Sequence, residues 1–353
     1  MQPVVGRIQD IADALCLSKG TVSRVLNGRG EIAQQTRSRV LEVAQQLNYA
    51  PRRRRTRQRN TVPSLDRVAF VCGNRCVDEN GVPDPSYVGF HVLTHLEQAA
   101  SEQSVGLMVS FIDAKNPDLR LEHLRVLRTN DIDAAILVYP FPEAIVERLA
   151  SVMPVVSLEV IYPNAAVDVI GPSHALDAMR AVEYLHSLGH RRIAYVGDEL
   201  STGHRLTQGL RHAGFVSGLA RCGLQYRAED VVNVVGTPMI DRPSLPGVIA
   251  RFVAGGVTAV ITSIDRHGYF LWNELPNIGV SVPRDVSIVG IGGIPRATGQ
   301  SQLTTFRCDF HGMALAALEV ARSRRAGNDH SQLYQEIQSQ FVTGGSAGAP
   351  RVV

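Results

Sequence analysis

The chain has 353 residues, of which 44% are hydrophobic, so it is too long for one ordinary domain and apolar enough to bury a large core. No apolar run reaches the roughly 18 residues that a membrane span needs, and the start of the chain lacks the charged and then apolar pattern of a signal peptide. We therefore expect a cytoplasmic protein with no membrane partner. The five cysteines are odd in number and scattered, which is typical of free thiols in a reducing compartment.

Charge is segregated along the chain. Residues 1–60 carry twelve Lys and Arg against four acids, a net charge of +8, whereas residues 61–353 carry 24 basic against 29 acidic groups, a net charge of −5. A basic run of this kind is either a solvated tail or a tether that neutralises phosphates and releases their counterions. The adjoining helical pattern favours a DNA tether, formed by Arg52, Arg53, Arg54, Arg55, Arg57 and Arg59.

Three short helices are predicted before this arginine run. Apolar residues recur at helical spacing in stretches that begin near Ile8, Val22 and Val40. Ser18 is placed to cap the second helix through its hydroxyl, and the third helix ends before Pro51, whose ring disfavours helix in the preceding residue. This spacing is typical of a helix-turn-helix, although periodicity alone also permits a small helical bundle of another purpose.

The second helix of a helix-turn-helix enters the major groove of DNA, where its outward side chains contact bases and its flanking hydroxyls contact phosphates. The outward set here is Lys19, Gly20 and Arg24. Arg24 can read guanine through two parallel hydrogen bonds, Lys19 can do so less rigidly, and Gly20 has no side chain to read with. The predicted phosphate contacts are Ser18, Thr21, Ser23 and Asn27.

The body beyond residue 65 alternates short apolar runs with longer amphipathic stretches. This alternation of strand and helix predicts parallel sheets with helices on both faces. Ligands of such sheets bind beyond the carboxyl ends of the strands, so we expect a pocket in the loops that follow the runs. The runs lie at residues 68–71, 106–109, 134–138, 155–158, 193–196, 259–262 and 287–290.

Several segments match a known pattern residue by residue. They are Leu17-Ser18-Lys19-Gly20-Thr21-Val22-Ser23-Arg24 in the head, and Gly189-His190-Arg191-Arg192-Ile193-Ala194, Val282-Pro283-Arg284-Asp285-Val286-Ser287 and Leu303-Thr304-Thr305-Phe306 in the body. These segments resemble the lactose-repressor (LacI/GalR) family of transcriptional regulators. The resemblance implies an N-terminal all-α helix-turn-helix head and an α/β periplasmic-binding-protein-like body of two doubly wound parallel-sheet subdomains.

The resemblance also implies the partners and the domain organisation. It implies a homodimer that binds a near-palindromic operator in double-stranded DNA, most often as a repressor, and responds to a small-molecule effector held between the two subdomains. The family's chain crosses three times between those subdomains. The implied limits are 1–51 for the helix-turn-helix domain, 52–65 for an arginine-rich linker, 66–168 with 298–329 for the N-terminal effector subdomain, and 169–297 with 330–353 for the C-terminal one.

Effector contacts carry over from the family only in part. Arg211-His212-Ala213-Gly214-Phe215 matches the family's RxxGF motif, and only Asp265 remains of its usual Asn-Asp pair. We expect Arg211 and Asp265 to contact the effector, with Tyr87 and Asn74 as replacement contacts. Several family carboxylates that bind sugar hydroxyls are missing, so the pattern favours a sugar acid, a phosphorylated sugar or another carbohydrate-like ligand. A regulator without any effector is left open.

The arginine run stands where the family has a hinge helix whose leucine wedges into the minor groove. Gln58 occupies that leucine position here, so the resemblance implies a tether that works by charge, with steep salt dependence and little central bending of the DNA. Whether this segment forms a helix on DNA stays open.

Two other classes of protein fit parts of the sequence less well. A solute-binding protein of the periplasmic-binding-protein fold fits the body, but it has no use for the head. An enzyme has no catalytic constellation here, and the sequence has no cofactor motif or metal site. His91 and His95 share a helical face but lack an HExxH pattern, so we expect a surface or cleft-lining pair. We expect a cytoplasmic, nucleoid-associated regulator.

Overall fold

The structure, a computed structural model, divides the chain into two compact units. We call the first unit, Met1–Thr61, the head and the second, Val62–Val353, the body. The predicted limits of the head at residue 51 and of the linker at residue 65 stay predictions, because residues 48–63 are not described. The described residues are 8–15, 17–26, 32–47, 64–74, 76–77, 87–114, 131–162, 164–198, 206–234, 244–294, 301–328 and 331–351.

The described part of the head consists of α1 (Ile8–Leu15), α2 (Lys19–Leu26) and α3 (Gln34–Gln46). In the turn between α1 and α2, the N–H of Leu17 donates to the carbonyl of Ala12 at 2.9 Å. The Oγ of Ser18 accepts a hydrogen bond from the N–H of Thr21 at 3.1 Å, so Ser18 caps α2 as the sequence predicts. The three apolar faces meet in one core, which buries Ile11, Ala12, Val22, Val25, Val40 and Ala44.

The body contains two six-stranded sheets, ordered β11-β5-β4-β3-β1-β2 and β12-β10-β9-β8-β6-β7. Their strands are β1 (Arg67–Cys72), β2 (Gly106–Phe111), β3 (Ala134–Val138), β4 (Val155–Leu158), β5 (Asp168–Pro172), β6 (Ile193–Asp198), β7 (Val231–Val234), β8 (Ala259–Thr262), β9 (Ser287–Gly292), β10 (Thr304–Arg307), β11 (Tyr334–Ile337) and β12 (Gln340–Val342). The described pairings are parallel, as predicted, except that β12 runs antiparallel to β10.

Helices cover both faces of each sheet. They are α4 (Val88–Glu102), α5 (Glu143–Ala150), α6 (His174–Ser187), α7 (Leu206–Arg221), α8 (Leu245–Ala254), α9 (Asp265–Glu274) and α10 (Phe310–Arg325). Helices α4 and α10 pack on one face of the first sheet and α5 on the other, while α6 and α7 oppose α8 and α9 across the second sheet. Central strands such as β3 are buried on both faces, which explains their unbroken apolar sequences. The predicted fold of two doubly wound subdomains is confirmed.

The three crossings between the sheets lie later in the chain than the predicted limits at residues 168, 297 and 329. Strand β5 pairs with β4 in the first sheet, β10 pairs with β9 in the second, and β11 returns to the first sheet beside β5. Asp168 stabilises the pairing of β11 with β5. Its carboxylate accepts hydrogen bonds from Arg324 at 2.8 Å and from the N–H of Leu333 at 2.9 Å. These contacts join distant segments, so local sequence patterns do not reveal them.

None of the described helices is long and apolar enough to cross a membrane.

Candidate functional site

The exposed face of α2 is cationic. Lys19 and Arg24 are exposed, whereas Val22 and Val25 of the same helix are buried in the head core. Gly20 lies on the same face, and a Cβ placed on it would be in ordinary van der Waals contact with Arg24 Nη2 and Ser18 Oγ, at 3.7 Å from each. The Nε of Arg24 donates to the carbonyl of Gly20 at 3.3 Å, which lays the guanidinium along the helix surface. The three predicted base-reading residues therefore share one solvent-facing surface.

The predicted phosphate contacts are described only in part. Ser18 is exposed, and its hydroxyl lies 2.9 Å from that of Thr21. Thr21 and Ser23 are half-buried. Asn27 and the six arginines of the tether lie outside the described residues, so their predicted roles stay predictions.

A second cluster of polar side chains lies inside the body, and Arg211 of α7 is at its centre. This guanidinium is only 5% exposed. Its Nε donates to Nδ1 of His174 at 3.1 Å, and its Nη1 donates to the carbonyl of Ser263. Two of its three nitrogens are therefore bound to protein groups, which holds the arginine at the carboxyl ends of the strands before His174 and Ser263.

Asp265 is the second predicted effector residue in this cluster. It opens α9 and is 1% exposed, and its carboxylate accepts from Thr305 Oγ1 at 2.6 Å and from the N–H of Ile294 at 2.7 Å. Strand β9 passes so closely that a Cβ on Gly290 would lie 2.1 Å from Asp265 Oδ1. Burial raises the pKa of this carboxyl to about 6, while its hydrogen bonds and Arg211 oppose that rise.

Three further side chains of the cluster were missed by the sequence reasoning. Glu159 follows β4 with a φ of 66°, a left-handed conformation that is uncommon outside glycine, and it is half-buried. His174 and Asp177 lie in the first turn of α6 and are 1% and 0% exposed. The strand-end rule could have found Glu159, because the loop after Leu158 was predicted to line the pocket. His174 carried no such signal.

Burial sets the protonation of these groups. It raises the pKa of Glu159 and Asp177, and the charge of Arg211 opposes both shifts. Burial, reinforced by Arg211, lowers the pKa of His174 well below its ordinary value. An arginine N–H cannot accept a hydrogen bond, so the Nδ1 of His174 is the acceptor and its Nε2 carries the proton.

The other two predicted effector residues are not bonded to Arg211. The ring of Tyr87 lies under the guanidinium of Arg266 at 4.6 Å, which is a cation–π contact between the two subdomains. The Oδ1 of Asn74 accepts from the N–H of Cys76 at 2.8 Å and so stabilises its own turn. Tyr87 therefore bridges to the residue after Asp265, whereas Asn74 has a local structural contact.

The predicted histidine pair packs on an aromatic ring. His91 and His95 both stack on Phe310, with ring centroids 6.0 Å apart in each case. Within the described residues, no three His, Cys, Asp or Glu side chains are grouped so that they could hold a metal ion.

Two family models match the chain. One, described as "Bacterial regulatory proteins, lacI family", matches residues 7–52, which include all three head helices. The other, described as "Periplasmic binding protein-like domain", matches residues 182–347, which include Arg211 and Asp265. The head of the chain is a lacI-family regulatory domain.

Known regulators resemble the chain along most of its length. The HTH-type transcriptional repressor CytR of Escherichia coli (strain K12) is 25% identical over 362 residues, which cover 98% of this chain and 94% of that protein. The sucrose operon repressor of Klebsiella pneumoniae is 29% identical over 241 residues, or 64% of each. The structure of the lac repressor dimer bound to operator and the anti-inducer ONPF covers 98% of this chain and 99% of its own, with a TM-score of 0.69 at 19% identity, and shares the fold.

The protein is a DNA-binding transcriptional regulator with a lacI-type helix-turn-helix head and a periplasmic-binding-protein-like body. The predicted family and fold class are thereby confirmed.

The raised pKa of Asp265 predicts a pH dependence of this regulator's stability. Because the pKa rises from 3.8 to about 6 on folding, the group favours the folded state fully below about pH 3.8, and this contribution is lost as the pH rises through about 6. The shift corresponds to about 3 kcal/mol. Urea unfolding from pH 4 to 7 checks this: Asp265→Asn should flatten the fall in stability, while Asp131→Asn, at a side chain that is 78% exposed, should keep it. Equal slopes in wild type and Asp265→Asn would contradict the assignment.

Proposed function

We propose that this lacI-family regulator binds a near-palindromic operator in double-stranded DNA as a homodimer, represses transcription, and changes its DNA affinity when a small carbohydrate-like effector binds between its two sheets. The observation that carries the proposal is the exposed cationic face of α2 on a lacI-type head. Two relatives that match this chain, CytR and the sucrose operon repressor, are repressors, which supports the same role here.

We assign base recognition to the exposed cations of α2, Lys19 and Arg24. Arg24 presents a planar fork of N–H donors that fits guanine O6 and N7, and Lys19 presents a point charge at the start of the same helix. Gly20 between them lets the helix backbone approach the base edges, because nothing projects from that position. Ser18, Thr21, Ser23 and Asn27 would fix the register through phosphates, and the arginine tether would add a salt-dependent contact.

A surface on the first sheet supports the homodimer. Strand β2 is the edge of that sheet and presents Val109 with 45% exposure. A groove of about 450 Å³ runs beside it, and its lining is mainly apolar, with Glu97 and Ser101 of α4 as the polar members beside Leu93, Ala100, Val105 and Leu107. An exposed apolar edge strand is a place where a second chain can pack. We assign this surface to a second copy of the chain, and the lac repressor of similar fold, which was solved as a dimer, supports a dimeric assembly.

The effector site is assigned to the cluster around Arg211 and Asp265. It lies at the carboxyl ends of parallel strands, where ligands of such sheets bind. The contact of Tyr87 with Arg266 joins the two subdomains. A ligand that moves the subdomains apart or together would therefore change the conformation of the body. The lac repressor structure of similar fold holds the anti-inducer ONPF, which supports a small-molecule effector here.

Two alternatives are weaker. If the regulator had no effector, the buried polar cluster of the body would have no assigned function. If the chain were a solute-binding protein of the same fold, the helix-turn-helix head would have no assigned function. The proposal assigns no reaction and no cofactor to the chain, and it places the protein in the cytoplasm at the nucleoid, where an operator is accessible.

Gel-shift measurements with duplex fragments from the protein's own chromosomal neighbourhood test the proposal. At 150 mM salt with excess competitor DNA, we expect one fragment to be retained as a complex of two chains. Equal retention of every fragment would contradict a sequence-specific regulator.

A further inference from the structure

Two cysteine thiols face each other at the carboxyl end of β1. Cys72 is the last residue of that strand, and its Sγ lies 3.7 Å from the Sγ of Cys76. Both side chains are thiols, and both residues are 0% exposed. The pair therefore lies at the edge of the first sheet where ligands of parallel sheets bind, although neither DNA binding nor the effector contacts use it.

The backbone of the turn after β1 holds Cys76 against Cys72. Cys76 has a φ of 53°, a left-handed conformation that is uncommon outside glycine. Its N–H donates to the Oδ1 of Asn74 at 2.8 Å, so a side chain of the same turn fixes this conformation. Unfavourable backbone conformations that the surrounding structure maintains are concentrated at functional sites. The turn therefore points to a role for the thiol pair.

Helix α4 leaves room for both sulfurs. Gly89 lies in its first turn, and a Cβ built there would lie 2.9 Å from the Sγ of Cys72 and 2.9 Å from the Sγ of Cys76. This is closer than real Cβ atoms come to another heavy atom. Any side chain at this position would therefore displace the pair, and glycine allows the two thiols to stay in contact.

The chemistry of this buried pair favours a disulfide over a metal site. Zinc needs four ligands, and no third His, Cys, Asp or Glu joins the pair in the part of the chain that the structure describes. A copper(I) ion between two thiolates would bury a net negative charge, which is costly. A disulfide needs only the two sulfurs and is neutral.

We propose that Cys72 and Cys76 form a reversible disulfide on exposure to hydrogen peroxide and that this bond makes the regulator redox-sensitive. One sulfur attacks the peroxide, the O–O bond breaks, and a sulfenic acid and one water form. The second sulfur then displaces the hydroxyl group, which leaves with the second thiol proton as another water, and the S–S bond forms. Two thiols are oxidised and one peroxide is reduced to two waters. A thiol reductant reverses the bond.

The pair reacts slowly in its resting state. The hydrogen bond between the two thiols and burial both raise the pKa of Cys72. The thiolate is the form that attacks peroxide, so a raised pKa lowers the rate of the first step. The site should therefore respond to sustained oxidation and stay reduced otherwise.

Contacts lead from the thiol pair to the effector cluster. The hydroxyl of Tyr139 accepts a hydrogen bond from the N–H of Gly89 at 3.3 Å. Tyr139 interacts electrostatically with Cys76 and with Glu159, and Glu159 interacts in turn with Arg211. An S–S bond is about 2.05 Å long, so the sulfurs must approach each other by roughly 1.7 Å. That approach moves groups that contact the wall of the effector site.

Trypsin separates the two cysteines, which makes the bond directly detectable. Cleavage after Arg75 places Cys72 on the peptide of residues 68–75 and Cys76 on that of residues 76–115. The full chain is treated with hydrogen peroxide, its remaining thiols are blocked with N-ethylmaleimide, and it is digested without reductant. Mass spectrometry should find these two peptides linked, at least tenfold more abundantly than any other pair of cysteine peptides. Dithiothreitol should release them.

Single variants and a gel shift locate the effect. Cys72→Ser and Cys76→Ser should each abolish the linked peptides, whereas the matched control Cys222→Ser, at a half-buried thiol of the other subdomain, should keep them. With the chromosomal fragment that the reduced protein retains, peroxide should change the affinity of the wild type at least threefold. The same treatment should leave the affinity of Cys72→Ser unchanged.

Each result decides one part of the proposal. Full labelling of Cys72 and Cys76 after prolonged peroxide treatment, or linkage of either to Cys222 or Cys308, would overturn the disulfide. Linked peptides with unchanged DNA affinity would overturn the redox sensitivity. If the reduced protein retains no fragment, the proposed operator binding fails, and the peptide measurement still decides whether the disulfide forms.

Discussion

The Arg24→Ala variant is expected to lose on the order of 30-fold to 10,000-fold in affinity for its specific duplex. A bidentate contact between arginine and guanine favours the correct base over a wrong one by about 1–3 kcal/mol, and a homodimer makes this contact in both half-sites. Arg24 is exposed on α2, so the head should keep its stability. Fluorescence anisotropy with specific and scrambled duplexes measures the change.

A matched control separates base reading from general charge. Arg39 is exposed on α3, outside the predicted reading surface, so Arg39→Ala should weaken specific and scrambled duplexes by similar factors. If Arg24→Ala also weakened both duplexes equally, the assignment of Arg24 to base reading would be wrong.

The Val109→Asp variant should dissociate the proposed dimer into monomers. It places a carboxylate in the middle of the apolar surface on β2 and α4, where a second copy would have to bury it. Light scattering should report a mass near 38.4 kDa instead of twice that value. Operator affinity should fall by on the order of 100-fold or more, because the two heads lose their linkage.

The chain offers a close control for this variant. Val152 is 51% exposed, compared with 45% for Val109, and lies outside the groove beside β2. Val152→Asp should remain dimeric and bind DNA normally. A dimeric Val109→Asp protein would place the interface elsewhere.

The head could be predicted from sequence because its determinants are local. The apolar residues of α1 and α2 recur every three or four positions, and the cap of α2 at Ser18 involves Thr21, three residues away. Contacts of this range are visible in the order of the residues. The turn that joins the helices follows from the same segment.

The fold class of the body could be predicted from the sequence, but the positions at which the chain crosses between the two sheets could not. Strands such as β3 are unbroken apolar runs, so their existence and parallel arrangement follow from sequence. The edge strand β11, Tyr334–Ile337, is mostly exposed and polar, and it joins the first sheet through backbone pairing with β5. Pairing between segments more than 150 residues apart leaves no local pattern.

The effector cluster shows the same limit. A motif identified Arg211, and the motif could not tell that the guanidinium binds His174 and Ser263. Asp177 reads as an ordinary helical carboxylate until folding brings Ser339 within 2.6 Å of it. The polar groups of the cluster come from distant segments of the chain, so their arrangement emerges only from the fold.

Selection of bound sequences from a random duplex library tests the central claim most directly. The purified full chain should enrich an inverted repeat with a guanine in each half-site, and Arg24→Ala should lose the preference at that guanine while keeping the rest. Enrichment of no sequence, or of a single unrepeated site, would contradict a dimeric operator-binding regulator.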